Sequence, residues 1–233
     1  MNFKKIAASL TAAVCFSGVI TAVPDFGSST FAAELVHNDF EVNYGGWHET
    51  GDYTTLTAVP GGGENVRKYH SFEGLAISPD GLRLYTANEE NLKCDATNVV
   101  RIQEFARKGA DDAFRPSRQF FYSVDPAGGA AFGKRTFSGV SSLIAMPDGS
   151  LLVLEREFSL KLLPSFRIRI YSVVPGAPGK SLVWEESSAF SNYEGMCLGP
   201  RLPDGRQSIV LVSDGGDGAL ETVLVLALSS TGE

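Results

Sequence analysis

One phrase occurs three times in this chain, and it constrains the fold more than any other feature of the sequence. It reads FEGLAISPDG at 72–81, SGVSSLIAMPDG at 138–149 and YEGMCLGPRLPDG at 193–205. Each copy ends in Pro-Asp-Gly, with the aspartates at positions 80, 148 and 204. In such a turn proline presets φ, aspartate caps its own backbone and glycine adopts a positive φ. The phrase therefore predicts three similar β-hairpins.

Further runs rich in Val, Ile, Phe and Tyr fill the gaps between the three hairpins. No apolar spacing of three and four residues persists for the length of a helix. The predicted strands are Leu75–Ser78, Leu82–Asn88, Val99–Ala106 and Arg118–Val124, then Leu143–Met146, Leu151–Arg156, Phe166–Val174 and Ser181–Glu185, then Met196–Leu198, Ser208–Ser213 and Glu221–Leu228. Groups of four, four and three strands are typical of β-propeller blades.

This pattern predicts an all-β fold, namely a partial (truncated) β-propeller of about three four-stranded blades. A β-sandwich is the alternative, but it does not predict the repeated phrase. Propellers close with about four to eight blades, so an arc of about three leaves a blade face and an edge strand open. We therefore expect self-association through the open blade edges, or marginal stability.

Residues 1–33 are typical of a secretory signal peptide. Lys4 and Lys5 precede the uncharged apolar run from Ile6 to Val23, and small residues near Ala32 offer a cleavage site. A transmembrane anchor is the alternative, although the run is marginal for the ~20 apolar residues that a membrane span needs. We expect a secreted protein without membrane association after signal cleavage.

Residues 34–65 differ in character from the chain that follows them. The stretch from Leu35 to Val59, which includes Trp47, resembles the opening strands of xylan-binding modules in secreted bacterial xylanases. The resemblance ends at the Pro-Gly-Gly-Gly run of residues 60–63, and one tryptophan makes no sugar platform without the rest of such a module. We therefore divide the chain into a signal peptide (1–33), a leader or linker (34–65) and a propeller body (66–233).

Charge and composition exclude several classes of function. The net charge of −7 becomes −8 when the signal peptide is removed with its two lysines and one aspartate, so the chain lacks the basic surplus of a nucleic-acid binder. All three histidines lie at or before residue 70, and no Gly-x-Ser-x-Gly motif is present. Cys94 and Cys197 could form a disulfide, because an exported protein meets an oxidising compartment. Two buried free thiols are the favoured alternative, because a single pair of distant cysteines does not make a disulfide framework.

The repeated phrases also carry a family resemblance. FEGLAISPDG (72–81), LLVLEREF (151–158), YEGMCLGPRLPDGR (193–206) and VLVSD (210–214), in this order, resemble the phytase-like family, also called the esterase-like domain of phytases. The resemblance covers residues 66–233. It implies a secreted propeller that hydrolyses phosphate esters or other esters.

Carboxylate chemistry remains once the histidine, cysteine and serine routes are set aside. Acidic side chains hold calcium through oxygen, and the cation polarises a phosphate and lowers the pKa of a bound water. Calcium would also reconcile an acidic chain with an anionic substrate. The predicted calcium ligands are Glu73, Glu89, Glu155, Glu194 and Asp214. The predicted catalytic residues are Glu73, Glu194 and Arg156, whose planar fork suits an oxyanion.

The predicted site depends on Glu73 and Glu194, which open equivalent strands, both facing the axis of the array. The alternative is that each bonds a neighbouring backbone N–H. Glu155 and Arg156 alternate in one strand, so only one of them can face a channel. The sequence thus predicts a phytase-like phosphomonoesterase or esterase acting on a small-molecule substrate. The alternative is a non-catalytic secreted propeller that serves as a binding scaffold.

Overall fold

A computed structural model describes residues 72–128, 136–160, 164–188, 192–214 and 221–229. These residues form eleven strands and contain no helix, hence none that could cross a membrane. The predicted signal peptide and leader lie outside the described residues. The strands are β1 (Phe72–Ile77), β2 (Arg83–Asn88), β3 (Val99–Ala106), β4 (Arg115–Ser123), β5 (Thr136–Ala145), β6 (Leu151–Leu160), β7 (Pro164–Val173), β8 (Ser181–Ser188), β9 (Tyr193–Arg201), β10 (Gln207–Ser213) and β11 (Val223–Leu228).

The strands form three antiparallel sheets that follow the order of the chain. Blade 1 is β1-β2-β3-β4, blade 2 is β5-β6-β7-β8 and blade 3 is β9-β10-β11. The first strands of the blades are neighbours, since β1 packs against β5 and β5 against β9. Met196 N in β9, for example, donates to Ser142 Oγ in β5 at 3.1 Å. The predicted all-β, propeller-type arc of three blades is confirmed.

The three Pro-Asp-Gly turns have the geometry that their residues predict. The glycines adopt φ values of 71°, 83° and 83°, in the left-handed region that glycine enters at little cost. The aspartate of each turn also accepts a hydrogen bond from the backbone N–H two residues further on. The glycines are Gly81, Gly149 and Gly205, and the N–H donors are Leu82, Ser150 and Arg206, at 3.0, 3.0 and 3.1 Å.

Strand β6 is apolar on both faces because blade 2 lies between the other two blades. Successive side chains of a strand point to opposite faces, and a strand buried on both sides shows a continuous apolar run. Leu151 and Val153 therefore pack into one core cluster together with blade 1. Leu152 and Leu154 pack into a second cluster together with blade 3. These two interblade cores hold the arc together.

The outer face of blade 3 keeps large apolar side chains in contact with solvent. Val212 in β10 and Val225 in β11 are 47% and 44% exposed. Cys197 in β9 is exposed as well, as is Cys94 in the connection after β2, and both are free thiols. The prediction that the free thiols would be buried is therefore wrong, because Cys197 lies on the solvent-facing side of β9 and Cys94 lies in the exposed connection between β2 and β3.

Candidate active site between the blades

Each first strand of a blade carries a β-bulge at the same point of the repeated phrase. The extra residue is Glu73 in β1, Ser141 in β5 and Glu194 in β9. A bulge re-aims a side chain, and bulges are over-represented next to active sites. Glu73 and Glu194 thus occupy equivalent positions, as the repeats predict, and Ser141 takes that position in blade 2.

Arg156 lies near the middle of β6, and its guanidinium joins all three blades. Nη2 donates to Glu89 Oε1 of blade 1, directly after β2. Nη1 donates to Glu194 Oε1 of blade 3 and to Asn192 Oδ1 at 2.9 Å. The side chains of Arg156 and Glu89 are 11% and 4% exposed, whereas that of Glu194 is 35% exposed. We call these four residues the Arg156 cluster.

Three residues of β5 explain how Arg156 and Glu89 come together. A Cβ on Gly139, which pairs with Arg156, would lie 2.7 Å from the main-chain oxygen of Glu89 and 2.9 Å from its Cγ. The absence of that Cβ lets Glu89 approach, and its carbonyl accepts a hydrogen bond from Val140 N at 2.9 Å. The Arg156 Cζ lies 5.3 Å from the ring centroid of Phe137, a cation–π contact.

Asn192 completes the cluster on the side that faces solvent. Its Nδ2 donates to Glu194 Oε1 at 2.6 Å, so this carboxylate oxygen accepts from both Asn192 and Arg156. The main-chain oxygen of Asn192 accepts from Asp214 N at 2.9 Å. This hydrogen bond places Asp214, which is exposed, beside the cluster.

Glu155 belongs to a second polar cluster, between blades 1 and 2. Its side chain is fully buried and accepts hydrogen bonds from Tyr122 Oη at 2.6 Å, from Asp125 N at 3.1 Å and from Lys180 Nζ. Lys180 also pairs with Asp125 Oδ1 at 2.7 Å and lies 4.0 Å from the ring centroid of Tyr171. We call these five residues the Glu155 network.

The Glu155 network shifts the pKa values of Tyr122, Tyr171 and Asp125. Burial, together with the nearby carboxylate of Glu155, raises the pKa of Tyr122, and burial with a hydrogen bond to Asp125 raises that of Tyr171. Burial would raise the pKa of Asp125 too, but hydrogen bonds from Lys180 and Tyr171 outweigh it and lower the pKa. The network thus favours the charged form of the Asp125 carboxylate and the protonated form of both phenols.

The structure brings together three of the predicted site residues, Glu89, Arg156 and Glu194. Glu155 faces the other side of β6, as strand alternation requires. Glu73 is exposed at the bulge of β1, and its part in the site stays a prediction. Asn192 was missed by sequence reasoning, because it precedes the repeated phrase and no motif marks it.

The predicted calcium ligands do not form one set within the described ranges. There, no three side chains of His, Cys, Asp or Glu are grouped so that they could hold a metal ion. The guanidinium of Arg156 supplies the positive charge between Glu89 and Glu194. Calcium therefore stays a prediction.

The fold and the site define an all-β protein of β-propeller type with a charged cluster where three blades meet. A sequence model of the phytase-like family, described as esterase-like activity of phytase, matches residues 47–215. The chain belongs to this family, as its repeated phrases predict.

Two further similarities are partial. A stretch of 66 residues is 42% identical to endo-1,4-beta-xylanase Y of Acetivibrio thermocellus and covers 28% of this chain and 6% of that xylanase. The periplasmic gluconolactonase PpgL of Pseudomonas aeruginosa is similar at 13% identity, with a TM-score of 0.25, over 68% of this chain and 57% of that one. Since the chain spans only part of each protein, neither activity is transferred to it.

Proposed function

We propose that this protein is an exported hydrolase of phosphate monoesters and that the Arg156 cluster is its active site. Membership of the phytase-like family supports hydrolysis of an ester bond. The signal-like residues 1–33 support export. The observation that carries the choice of site is that the two carboxylates paired with Arg156 differ in their exposure to solvent. Glu89 is almost fully buried, whereas Glu194 remains about one-third exposed and within reach of a substrate.

The cluster holds a cation where an anionic substrate needs one. The planar guanidinium of Arg156 presents several N–H donors in a fixed fork, a geometry that matches phosphate oxygens. Its neighbours hold it in place, so charge that develops in the transition state meets a preorganised donor. Arg156 therefore binds the phosphoryl group and stabilises the transition state.

Glu194 supplies the general base of the proposed reaction. A water molecule attacks phosphorus, and the ester P–O bond breaks. The Glu194 carboxylate takes a proton from the water and returns it to the leaving alkoxide, which yields inorganic phosphate and an alcohol. A positioned carboxylate within hydrogen-bond reach contributes about 10²- to 10⁴-fold to such proton transfers.

Release of phosphate from phytate and from p-nitrophenyl phosphate tests this function on the mature chain, with p-nitrophenyl acetate as a carboxyl ester. We expect Glu194→Gln to lower kcat by about 100-fold. Glu185→Gln is the matched control, since Glu185 is also 35% exposed and pairs with Arg167 at 2.7 Å; it leaves kcat unchanged. No release from either phosphate ester, or a kcat insensitive to Glu194→Gln, would reject the proposal.

The same assays are run with calcium and with a chelator, because the sequence predicts this cation. Activity that requires calcium would mean that residues outside the described ranges complete its ligand set. Activity that persists in the chelator would mean that the Arg156 cluster supplies the positive charge by itself. Either result leaves the requirement for Glu194 as the test of the site.

A non-catalytic binding scaffold is the second candidate function. The observation that favours it is that Arg156 pairs with carboxylates of both neighbouring blades, as a structural tie would. A scaffold predicts that all three substrates stay intact and that Arg156→Leu lowers the free energy of unfolding. The hydrolase instead predicts turnover that the substitution at Glu194 removes.

A further inference from the structure

The two carboxylates that pair with Arg156 are held to different degrees. Glu89 is fixed from several sides, because its carbonyl accepts from Val140 N and its side chain packs against Gly139. Glu194 belongs to the bulge of β9, and its side chain is 35% exposed. Exchange of a ligand at Arg156 is therefore far easier on the Glu194 side than on the Glu89 side.

The Glu194 side of the cluster has the geometry of an oxyanion site. Two N–H donors from different elements, Arg156 Nη1 and Asn192 Nδ2, converge on the single atom Glu194 Oε1. Asn192 is itself oriented, because its Oδ1 accepts from Arg156 Nη1 at 2.9 Å and so leaves its Nδ2 to donate. Paired donors aimed at one oxygen bind any anionic oxygen of suitable size.

Arg156 also has donor capacity that the described contacts leave unused. Its Nε is buried and has no hydrogen-bond partner in the described part of the chain. This N–H lies on the edge of the guanidinium that it shares with Nη2, which faces Glu89, so a ligand with several acceptor oxygens on the Glu194 side meets Nη1 instead. A phosphate group offers more such oxygens, and more negative charge, than the single carboxylate that now occupies the site.

We propose that Arg156 Nη1 and Asn192 Nδ2 form the binding site for the phosphate group of the substrate, and that Glu194 is its internal occupant, which the substrate displaces. This inference rests on the proposed function for the location of the site and adds Asn192 as a binding residue. Displacement also frees the Glu194 carboxylate from its ion pair, which leaves it beside the bound phosphate and able to accept a proton from water.

If Glu194 and phosphate compete for Arg156, turnover and phosphate affinity should respond in opposite directions to loss of the Glu194 charge. Loss of the Glu194 charge lowers turnover but raises the affinity for inorganic phosphate, because a neutral amide competes less well for the guanidinium. The pairing of a partly exposed carboxylate with arginine is worth up to about 1 kcal/mol, which corresponds to about fivefold in the dissociation constant. Asn192→Ala removes a donor and weakens phosphate binding by about fivefold.

Titration calorimetry of the mature chain with inorganic phosphate, at constant ionic strength, tests the inference. The proteins are the wild type, Glu194→Gln, Asn192→Ala, the milder Asn192→Ser and the control Glu185→Gln. The melting temperature of each variant is first shown to be unchanged. Tighter binding by Glu194→Gln and weaker binding by the Asn192 variants support the proposal. Unchanged or weaker binding by Glu194→Gln, or unchanged binding by both Asn192 variants, overturns it.

This experiment separates the inference from the proposed function. If Glu194→Gln binds phosphate more tightly but the wild type hydrolyses no ester, the phosphate site is supported and the hydrolase is rejected. If hydrolysis depends on Glu194 but Glu194→Gln shows no gain in phosphate affinity, the hydrolase is supported and the displacement of Glu194 by phosphate is rejected. A parallel titration with acetate, a monoanion, should show weaker binding than phosphate in all five proteins.

Discussion

Glu155 and Arg156 are consecutive residues of β6, yet their side chains enter polar clusters on opposite faces of blade 2. Glu155 is fully buried among groups at the boundary with blade 1. Arg156 reaches Glu194 of blade 3 and Glu89 of blade 1. One strand therefore supplies both a buried tie between two blades and the cation of the candidate active site, and substitutions at the two positions should have different consequences.

Glu155→Gln should destabilise the fold without altering the chemistry of the active site. The substitution costs up to about 3 kcal/mol, since Lys180 loses the buried one of its two carboxylate partners and keeps the partly exposed Asp125. Urea unfolding measures the change. Glu186→Gln, at an exposed position of β8, is the control and should stay within about 0.5 kcal/mol of the wild type. A similarly small effect of Glu155→Gln would show that the network contributes little to stability.

Gly139→Ala should damage the active site through Glu89. The added Cβ would lie 2.7 Å from the Glu89 main-chain oxygen, so the connection after β2 must shift, at a cost of about 1–3 kcal/mol. The shift weakens the ion pair between Glu89 and Arg156, so that Arg156 is held less firmly. Both kcat and phosphate affinity should therefore fall. Gly109→Ala is the control, since its Cβ would meet Asp112 at an ordinary 3.6 Å. Wild-type kinetics in Gly139→Ala would contradict this account of how Arg156 is positioned.

Gly149→Ala tests the turn chemistry of the repeated phrase. A Cβ at this position would meet nothing within 4 Å, so the substitution acts only through the φ of 83°. For a residue with a Cβ that conformation costs roughly 1–2 kcal/mol. Gly149→Asn should cost less, because asparagine tolerates the left-handed region better. Equal melting temperatures for the wild type and both variants would mean that the turn relaxes to a negative φ.

Local chemistry made most of the fold predictable from the sequence, whereas the composition of the site depends on contacts between blades. Pro-Asp-Gly turns and apolar runs predicted the hairpins, and β3 has the predicted bounds. The start of β5 at Thr136, before the predicted Leu143, was missed because Ser138 and Gly139 have low strand propensity and are held there by pairing with β6. Alternation separated Glu155 from Arg156, but it could not say which blade each would face.

Acid should destabilise the fold in part through Glu104 of β3. Burial would raise the pKa of this carboxyl group, but hydrogen bonds from Arg118 and Ser117 outweigh it and lower the pKa. The folded state therefore binds fewer protons than the unfolded chain near pH 4. The stabilisation is complete above the unfolded pKa of about 4.3 and is lost as the pH falls through the lower, folded pKa.

Urea midpoints between pH 7 and pH 3 measure this contribution. Glu104→Gln should be less stable than the wild type at pH 7, and the difference should shrink as the pH falls, because the wild-type carboxyl group becomes neutral as well. The exposed control Glu186→Gln should follow the wild-type profile throughout. A constant offset between Glu104→Gln and the wild type at every pH would mean that the charge of Glu104 is not what stabilises the fold.

The two thiols of the propeller body should be chemically accessible in the folded protein. Cys94 and Cys197 are exposed and unpaired, and they belong to different blades. Partial desolvation raises the pKa of the Cys197 thiol, so its labelling by a maleimide should be slow at pH 7 and accelerate as the pH rises. Mass spectrometry of the mature chain should find two adducts without denaturant, and one adduct in Cys94→Ser. Two adducts only after reduction would instead demonstrate a disulfide and contradict the free thiols of this structure.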